Sequence, residues 1–229
     1  MSNNTVVVTD IHREYLQGEF VVKALQGVSL SIEPGEFTVL MGASGSGKTT
    51  LLNIIGGLDS PTSGSVQIDE QELASMAPND LSDLRLHKLG FVFQAYNLIP
   101  VLSAFENTEF VPLMQGVGAD ERKSRSMEML KAVGLAGMEN RLPSELSGGQ
   151  QQRVAVARAL AGNPMLILAD EPTANLDSKT GQELIALMRS LNEEKGVTFI
   201  FATHDPKVME AAKRIIHLED GKIIEDERR

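Results

Sequence analysis

Residues 37–58 read FTVLMGASGSGKTTLLNIIGGL, and this stretch decides the fold class. The apolar run FTVLM predicts a buried strand, a glycine-rich turn follows it at once, and TTLLNIIGGL has the apolar spacing of a helix. Within the turn, residues 42–50 match the phosphate-binding pattern G-x-x-x-x-G-K-[ST]. A strand, a glycine-rich loop and a helix in this order predict an α/β fold that binds phosphate.

The residue types in the phosphate loop suit that chemistry. Glycines let consecutive N–H groups turn toward phosphate oxygens, and the helix that follows adds the positive end of its dipole. Lys48 is predicted to reach the β- and γ-phosphates, and the Thr49 hydroxyl to ligate Mg²⁺. The alternative, a turn with a surface lysine, is disfavoured by the flanking strand and helix. The predicted phosphate-binding residues are Gly42, Ala43, Ser44, Gly45, Ser46, Gly47, Lys48, Thr49 and Thr50.

A second motif is LILADEP at 166–172, which predicts a buried strand ending in Asp170 and Glu171. Carboxylates at the carboxyl end of a strand lie in the crevice where α/β folds bind ligands. Asp170 is therefore predicted to hold Mg²⁺ through water, and Glu171 to polarise the attacking water as general base. By itself the pair could equally cap a helix, but the phosphate loop elsewhere in the chain favours the catalytic interpretation.

The third motif is LSGGQ at 146–150, just before an Arg- and Ala-rich run of helical character. Gly148 and Gly149 leave N–H groups accessible at a helix N-terminus and Ser147 adds a hydroxyl, which predicts a second anion site suited to a γ-phosphate. An ordinary N-cap by Ser147 is the alternative. It leaves two glycines unexplained where each lowers helix propensity by about 1 kcal/mol. The two phosphate sites either share one nucleotide within a chain or bind it from opposite sides across a dimer.

Composition excludes several classes of protein. The chain has 229 residues, no cysteine and a net charge of −10, which fits a single large domain in a reducing cytoplasm and argues against a protein that coats nucleic acid. The start MSNNTVVVTD lacks the basic and apolar segments of a signal peptide. The most apolar window, residues 91–105, is too short and too polar to span a bilayer. We expect a chain that does not cross a membrane by itself.

The pattern of the chain changes in its middle third. Short β-rich runs dominate the first third, and helical patterns dominate from about 95 to about 145. The clearest is residues 119–135, where Met127, Leu130 and Val133 have the spacing of one apolar face. Apolar runs then alternate with helices, which predicts parallel strands joined by crossover helices. A helical insert therefore interrupts an α/β core.

The chain resembles the ATP-binding cassette (ABC) family of ATPases over essentially its whole length. The motifs that carry the resemblance are the phosphate loop, LSGGQ, LILADEP, ANLD at 174–177 and FATHD at 201–205. The resemblance implies one P-loop ATPase domain over residues 1–229. Its parts would be an α/β core, an antiparallel β-subdomain and an α-helical subdomain at about 95–160 that includes LSGGQ. Residues 42–64 and 89–113 resemble the subgroup that serves lipoprotein release, macrolide export and cell-division or peptide-sensing complexes.

The resemblance also assigns roles to single residues. Gln94 resembles the loop glutamine that contacts Mg²⁺ and the attacking water, and His204 the switch histidine that binds the γ-phosphate and positions Glu171. Alone, Gln94 would be interpreted as a strand-end glutamine on a surface, and His204 as a cap or a buried structural residue. Asp177 resembles the aspartate that crosses the dimer, and Tyr15 the aromatic that stacks on adenine. The signature residues implied to complete the ATP site are Ser147, Gly148, Gly149 and Gln150.

The function implied is Mg²⁺-dependent ATP hydrolysis in a homodimer that moves transmembrane permease subunits. Such a chain would be peripheral, bound through its partner to the cytoplasmic face of the inner (plasma) membrane, and would bind no nucleic acid. A regulatory ATPase that gates a cell-wall or sensor complex remains open. A DNA-repair ATPase is disfavoured because no sustained heptads separate the phosphate loop from LSGGQ. A ribosome-bound protein is disfavoured because it would carry two cassettes.

The surface around Gln94 to Pro100 and the helical insert is predicted to receive a membrane partner, on the evidence of the segment AYNLIPVL at 95–102. This segment places apolar Leu98, Ile99, Val101 and Leu102 beside the loop glutamine, where a short helix of a membrane protein would dock. The alternative is a satellite core under the helical insert.

Overall fold

The computed structural model describes residues 4–229; residues 1–3, part of the segment in which no signal peptide is predicted, lie outside the described range. The strands are β1 (Val6–Gln17), β2 (Phe20–Ile32), β3 (Phe37–Met41), β4 (Ser63–Ile68), β5 (Gln71–Glu72), β6 (Leu89–Val92), β7 (Leu166–Asp170), β8 (Thr198–Thr203), β9 (Arg214–Glu219) and β10 (Lys222–Arg228). The α-helices are α1 (Lys48–Ile55), α2 (Pro78–Lys88), α3 (Ala104–Met114), α4 (Ala119–Ala132), α5 (Gly148–Ala161), α6 (Ser178–Lys195) and α7 (Pro206–Ala211).

The central sheet has six strands in the order β10-β9-β3-β8-β7-β6. All neighbours in it run parallel except β9 and β10. Its inner strands β7 and β8 are buried along almost their whole length, as expected for a parallel sheet covered on both faces. This confirms the predicted α/β core. Because Met41 pairs with Thr203 and Ala202 with Asp170, the carboxyl ends of β3, β8 and β7 meet at one edge.

A second, antiparallel sheet has the order β2-β1-β4-β5. Helix α1 lies in the apolar core that both sheets share, and its Leu51 and Ile55 have no exposed surface. The strand, loop and helix read from residues 37–58 are thus confirmed. Burial of α1 on several sides fixes the position of the loop in front of it.

Helices α3, α4 and α5 pack against one another, and α5 also packs against β6. The predicted apolar face of α4 is wrong in one residue. Leu130 and Val133 have no exposed surface, but Met127 is 39% exposed. The buried stripe runs through Ser126, Met129, Leu130 and Val133, which is the i, i+3, i+4, i+7 spacing, and Met127 lies at its border.

Candidate nucleotide site

The phosphate loop connects β3 to the start of α1. Gly47, the N-cap of α1, has φ 103°, and no side chain caps the helix. An added Cβ on Gly47 would lie 2.6 Å from the carbonyl oxygen of Ala24, so this position requires glycine. Around Gly45 (φ 83°) an added Cβ would meet no atom within 4 Å. The loop therefore combines open space with N–H groups that lack a side-chain acceptor, which is what an anion needs at a helix start.

Lys48 is buried, and its ammonium group turns back into the loop. Nζ donates hydrogen bonds to the carbonyl oxygens of Gly42 at 2.7 Å and Ala43 at 2.9 Å. The charge is thus held against the first two residues of the loop. Phosphate oxygens entering the loop would offer the ammonium group stronger acceptors than the two carbonyls.

Asp170 and Thr49 meet between the end of β7 and the start of α1. The Thr49 hydroxyl donates to Asp170 Oδ1 at 3.1 Å. Burial raises the pKa of Asp170 and the neighbouring Glu171 carboxylate raises it further, whereas Thr49 and Lys48 lower it. The hydroxyl, the carboxylate and the amide oxygen of nearby Gln94 are hard ligands of the kind that Mg²⁺ prefers. Residues 4–229 hold no cluster of three or more His, Cys, Asp or Glu for a metal, so Mg²⁺ here would need water and phosphate oxygens as well.

Glu171 lies directly after β7 with a left-handed backbone, φ 44°. Its N–H donates to the carbonyl oxygen of Ala202 at 2.8 Å, which fixes the residue to the neighbouring strand. Its Oε1 lies 2.6 Å from His204 Nδ1, and its Oε2 accepts a 2.9 Å hydrogen bond from the Thr203 hydroxyl. Thr203 was missed by sequence reasoning, because nothing in its local pattern separates it from any other strand threonine.

One cavity of about 420 Å³ joins these parts. Its lining includes four groups that the sequence predicted to act together, namely the phosphate loop, Gln94, Glu171 and His204. The full lining is Val22, Lys23, Ala24, Ser44, Gly45, Gly47, Lys48, Thr49, Thr50, Gln94, Glu171, Ala174 and His204. The predicted site residues that are not in this lining are Tyr15, Gly42, Ala43, Ser46, Asp170, Asp177 and the signature residues.

Tyr15 lies beside the cavity. It pairs with Val22 across the β1–β2 hairpin, and Val22 belongs to the lining. The Tyr15 hydroxyl donates to Asp59 at 2.6 Å, and the guanidinium carbon of Arg13 lies 4.4 Å from the ring centroid. One ring face is thus covered by a cation. Stacking on adenine stays a prediction for this residue.

The signature forms the predicted start of α5, but its details differ from the expectation. Ser147 Oγ accepts from the N–H of Gln150 at 3.3 Å, and Gln150 Oε1 accepts from the N–H of Ser147 at 2.9 Å, a capping box. An added Cβ would lie 2.8 Å from the Tyr96 hydroxyl oxygen at Gly148, and 2.4 Å from Thr180 Cγ2 at Gly149. Packing therefore restricts both positions, more strictly at Gly149, against the short Thr180 side chain, than at Gly148, where the far end of Tyr96 can shift. Packing is thus a reason for glycine here besides phosphate binding, which stays a prediction.

Asp177 is the N-cap of α6. Its Oδ1 accepts from the N–H groups of Lys179 and Thr180, and its Oδ2 accepts from the Thr180 hydroxyl at 2.6 Å. The Thr180 hydroxyl is the main cause of the lowered pKa of Asp177. The carboxylate is thus used within its own chain, and a contact across a dimer stays a prediction.

A second cavity, of about 470 Å³, follows the segment 95–102. Ile99 lines it, Leu98 packs against the main core, and Val101 is 78% exposed. Part of the segment thus fits a satellite core under the helical insert, and part of it is exposed where a partner could bind. The lining is Leu58, Arg85, Leu86, Leu89, Gly90, Phe91, Phe93, Asn97, Ile99, Phe110, Val111, Arg158 and Ala159. We call this cavity the insert groove.

Across residues 4–229, no helix combines the length and apolar character that a membrane crossing requires.

Comparison with known proteins gives consistent results. The family model described as ABC transporter matches residues 25–174. The chain is 49% identical over 221 residues to a macrolide export ATP-binding/permease protein MacB of Syntrophobacter fumaroxidans, covering 95% of this chain and 31% of that protein. It is 48% identical to the ABC transporter ATP-binding protein MJ0796 of Methanocaldococcus jannaschii, covering 97% of each. A solved dimer of the MJ0796 cassette, described as a post-hydrolysis state bound to ADP and Pi, matches with a TM-score of 0.90 at 47% identity, covering 97% of this chain and 98% of that one.

Proposed function

The chain belongs to the ABC transporter family, and on that premise we propose that it is the ATP-hydrolysing subunit of a transporter-type complex. The observation that carries the proposal is the cavity that brings Lys48, Gln94, Glu171 and His204 to one edge of the central sheet. The dimer of the MJ0796 cassette with ADP and Pi supports hydrolysis in a pair of such chains.

The phosphate loop would bind the triphosphate. Its N–H groups and the start of α1 face the phosphates, and Lys48 exchanges the carbonyls of Gly42 and Ala43 for phosphate oxygens. Thr49, Asp170 and Gln94 would hold Mg²⁺, which supplies positive charge to the β- and γ-phosphates when bound. Tyr15 would stack on the base near Val22.

Glu171 would act as the general base on the attacking water. Its carboxylate is oriented by His204 on one oxygen and Thr203 on the other. In hydrolysis Glu171 accepts a proton from the water as the water oxygen attacks the γ-phosphorus. The bond from the γ-phosphorus to the bridging oxygen breaks, and ADP leaves with the electron pair of that bond, which yields ADP and phosphate. His204, whose side chain is 71% exposed toward solvent, is free to reach a γ-phosphate oxygen through its second ring nitrogen.

The second half of each ATP site would come from another copy of the chain. Ser147, Gly148 and Gly149 do not line the cavity of their own chain, which supports a contact between them and a γ-phosphate held by a second copy. A two-fold dimer makes this contact twice. Asp177 would lie near the same interface.

The work of the ATPase would be done on a membrane partner. The insert groove offers apolar walls beside the Gln94 loop, where a short helix of a permease subunit would dock and hold the chain at the cytoplasmic face of the membrane. The chain spans about a third of the length of its MacB relative. The name of that relative favours export as the role of the complex. Mechanical transmission and gating of a cell-wall or sensor complex are the other candidates.

The test is phosphate release from ATP by the purified chain, with and without Mg²⁺. We expect turnover that needs Mg²⁺ and is lost together with ATP binding in Lys48→Ala. The control is Lys222→Ala, an exposed lysine of β10, which should match the parent. Parental turnover in Lys48→Ala, or turnover unaffected by chelation of Mg²⁺, would overturn the proposal.

A further inference from the structure

The loop that carries Gln94 is bound by side chains from outside it. Four of its backbone carbonyls accept such hydrogen bonds: Phe93 from Gln152, Gln94 from Asn175, and both Tyr96 and Asn97 from Arg158. Two of the three donors, Gln152 and Arg158, lie on α5. The loop is therefore attached chiefly to the helix that begins with the signature.

Gln152 makes a second bond that sets it apart. Its side chain has no exposed surface, and its Nε2 donates both to the carbonyl oxygen of Phe93 at 3.3 Å and to that of Pro172 at 2.9 Å. Phe93 directly precedes Gln94, and Pro172 directly follows Glu171. One amide group thus joins the peptide that leads into Gln94 to the carbonyl one residue beyond Glu171. In the proposed mechanism, Gln94 holds Mg²⁺ and Glu171 acts on the attacking water.

The chemistry of this position is restrictive. Both partners are carbonyl oxygens, so only a group with two donors of this reach can bind them together. A carboxylate of the same length could bind neither. An apolar side chain would remove the Gln152 bond from both carbonyls and leave that of Phe93 with its backbone bond from the Tyr96 N–H. Since the Phe93 and Pro172 peptides belong to different segments of the chain, the amide of Gln152 also fixes the spacing between those segments.

We propose that Gln152 is a positioning residue for ATP hydrolysis, which sets the spacing of the Gln94 and Glu171 loops and ties both to the signature helix α5. The inference rests on the proposed function. When the signature of one chain meets the nucleotide of another, a shift of α5 reaches both loops through this amide. Displacement of a reacting group by about 1 Å can cost on the order of 100-fold in rate, so a small change of spacing is enough to matter.

The purely structural alternative is that Gln152 only satisfies two carbonyls beneath α5. The two roles differ in what they change. A structural defect lowers the stability and the nucleotide affinity of the fold together with turnover. A positioning defect lowers kcat and leaves ATP binding unchanged, because Gln152 does not touch the phosphate loop.

The experiment compares Gln152→Met with Gln151→Met. Both replace an amide by an apolar side chain of similar length on the same helix. The Nε2 of Gln151 donates to the carbonyl of Leu146, at the start of α5, so the control loses a bond that reaches neither loop. We expect kcat of Gln152→Met to fall about 10- to 100-fold, the scale of a misplaced reacting group. The dissociation constant for ATP should stay within about twofold of the parent, and Gln151→Met should turn over ATP like the parent.

A second arm tests the route of the effect. If Gln152 acts through the Gln94 loop, its loss overlaps with the loss of Gln94, and Gln152→Met should cost less in a Gln94→Ala background than in the parent. Gln152→Asn keeps an amide that is too short to span both carbonyls, and should show an intermediate kcat. This variant serves as the test if the methionine variant does not fold.

The inference is overturned if the methionine or asparagine variant retains the kcat of the Gln151→Met control. It is equally overturned if kcat and ATP affinity fall together, or if the losses from Gln152 and Gln94 simply multiply. Failure of the proposed function is a separate result, because in that case the parent chain itself releases no phosphate from ATP.

Discussion

Single residues of the site differ in how far their local sequence reveals them. Lys48 and Thr49 could be predicted because they belong to one continuous motif whose spacing reflects one loop. Thr203 and Gln152 could not be predicted, because each acts on a residue distant in the chain and the contact exists only after β7, β8 and α5 have packed. The assignment of Glu171 lies between these cases, since the acidic pair is visible in sequence but its contact with His204 is tertiary.

The role of Glu171 gives the first prediction. Glu171→Gln keeps the size of the side chain but removes the group that accepts a proton from water. We expect ATP binding to be retained and turnover to fall about 10²- to 10⁴-fold, the usual contribution of a general base. Equilibrium ATP binding and single-turnover phosphate release on the same preparation measure the two effects.

Glu219→Gln, at the exposed end of β9, is the control and should keep the parental rate. Hydrolysis by Glu171→Gln at close to the parental rate would show that another group takes the proton. Loss of ATP binding in the same variant would mean instead that the carboxylate supports the binding site.

At the scale of elements, the spacing of apolar residues identified the helices that bury an apolar stripe. It did not identify helices that bury few side chains. Helix α2 gave no signal because only Leu84 on it is buried. In α4 the pattern was present but Met127 was assigned to it in error, because a helix with Met at 127 and 129 offers two registers and only packing selects one. The starts of α1 and α5 show the same limit. Both are glycine-rich in sequence, yet only α5 has a side-chain cap.

The insert groove gives a prediction at this scale. Val101→Asp places a charge on an exposed residue of the segment 95–102, beside the groove, where an apolar partner helix would have to bury it. In a complex with a membrane partner recovered by co-purification from solubilised membranes, the ratio of partner-stimulated to basal ATPase should fall. Steady-state assays of the isolated chain and of the complex give the two rates.

The matched control is Ile224→Asp, another exposed aliphatic residue, on β10 at the opposite edge of the central sheet from β6. It should leave the ratio unchanged. Two results would show that the segment only packs against the helical insert and that the partner docks elsewhere. Either Val101→Asp and Ile224→Asp behave alike, or Val101→Asp lowers the basal and the partner-stimulated rates in proportion.

On the scale of the whole molecule, the α/β core could be predicted because strand, loop and helix alternate along the chain. The packing around LSGGQ could not be predicted in this way. The Tyr96 and Thr180 side chains that an added Cβ at 148 and 149 would meet come from distant segments, so the sequence alone does not separate packing from phosphate binding as the reason for the two glycines. Only an experiment that separates one chain from its neighbour can decide whether the signature also serves a second copy.

That experiment needs a signature variant that does not disturb its own chain. Gly149→Asp alone would place its side chain against Thr180 Cγ2, so the substitution is made in a Thr180→Ser background, which removes that methyl and keeps the hydroxyl that bonds Asp177. Thr180→Ser alone is the control and should match the parent. The double variant should bind ATP with parental affinity, because Lys48 and the phosphate loop are intact, and should lose turnover.

The final prediction concerns mixtures of this double variant with Lys48→Ala chains. If the signature of one chain completes the site of the other, a mixed dimer holds one site with both defects and one site with neither. Activity should then return in proportion to the number of mixed dimers, which native mass spectrometry counts. Each of the two variants is expected to be inactive by itself. A signature that served its own chain would leave every site of the mixture defective, and mixing would restore nothing. Full activity of the double variant by itself would mean that the start of α5 binds no phosphate and that packing alone accounts for LSGGQ.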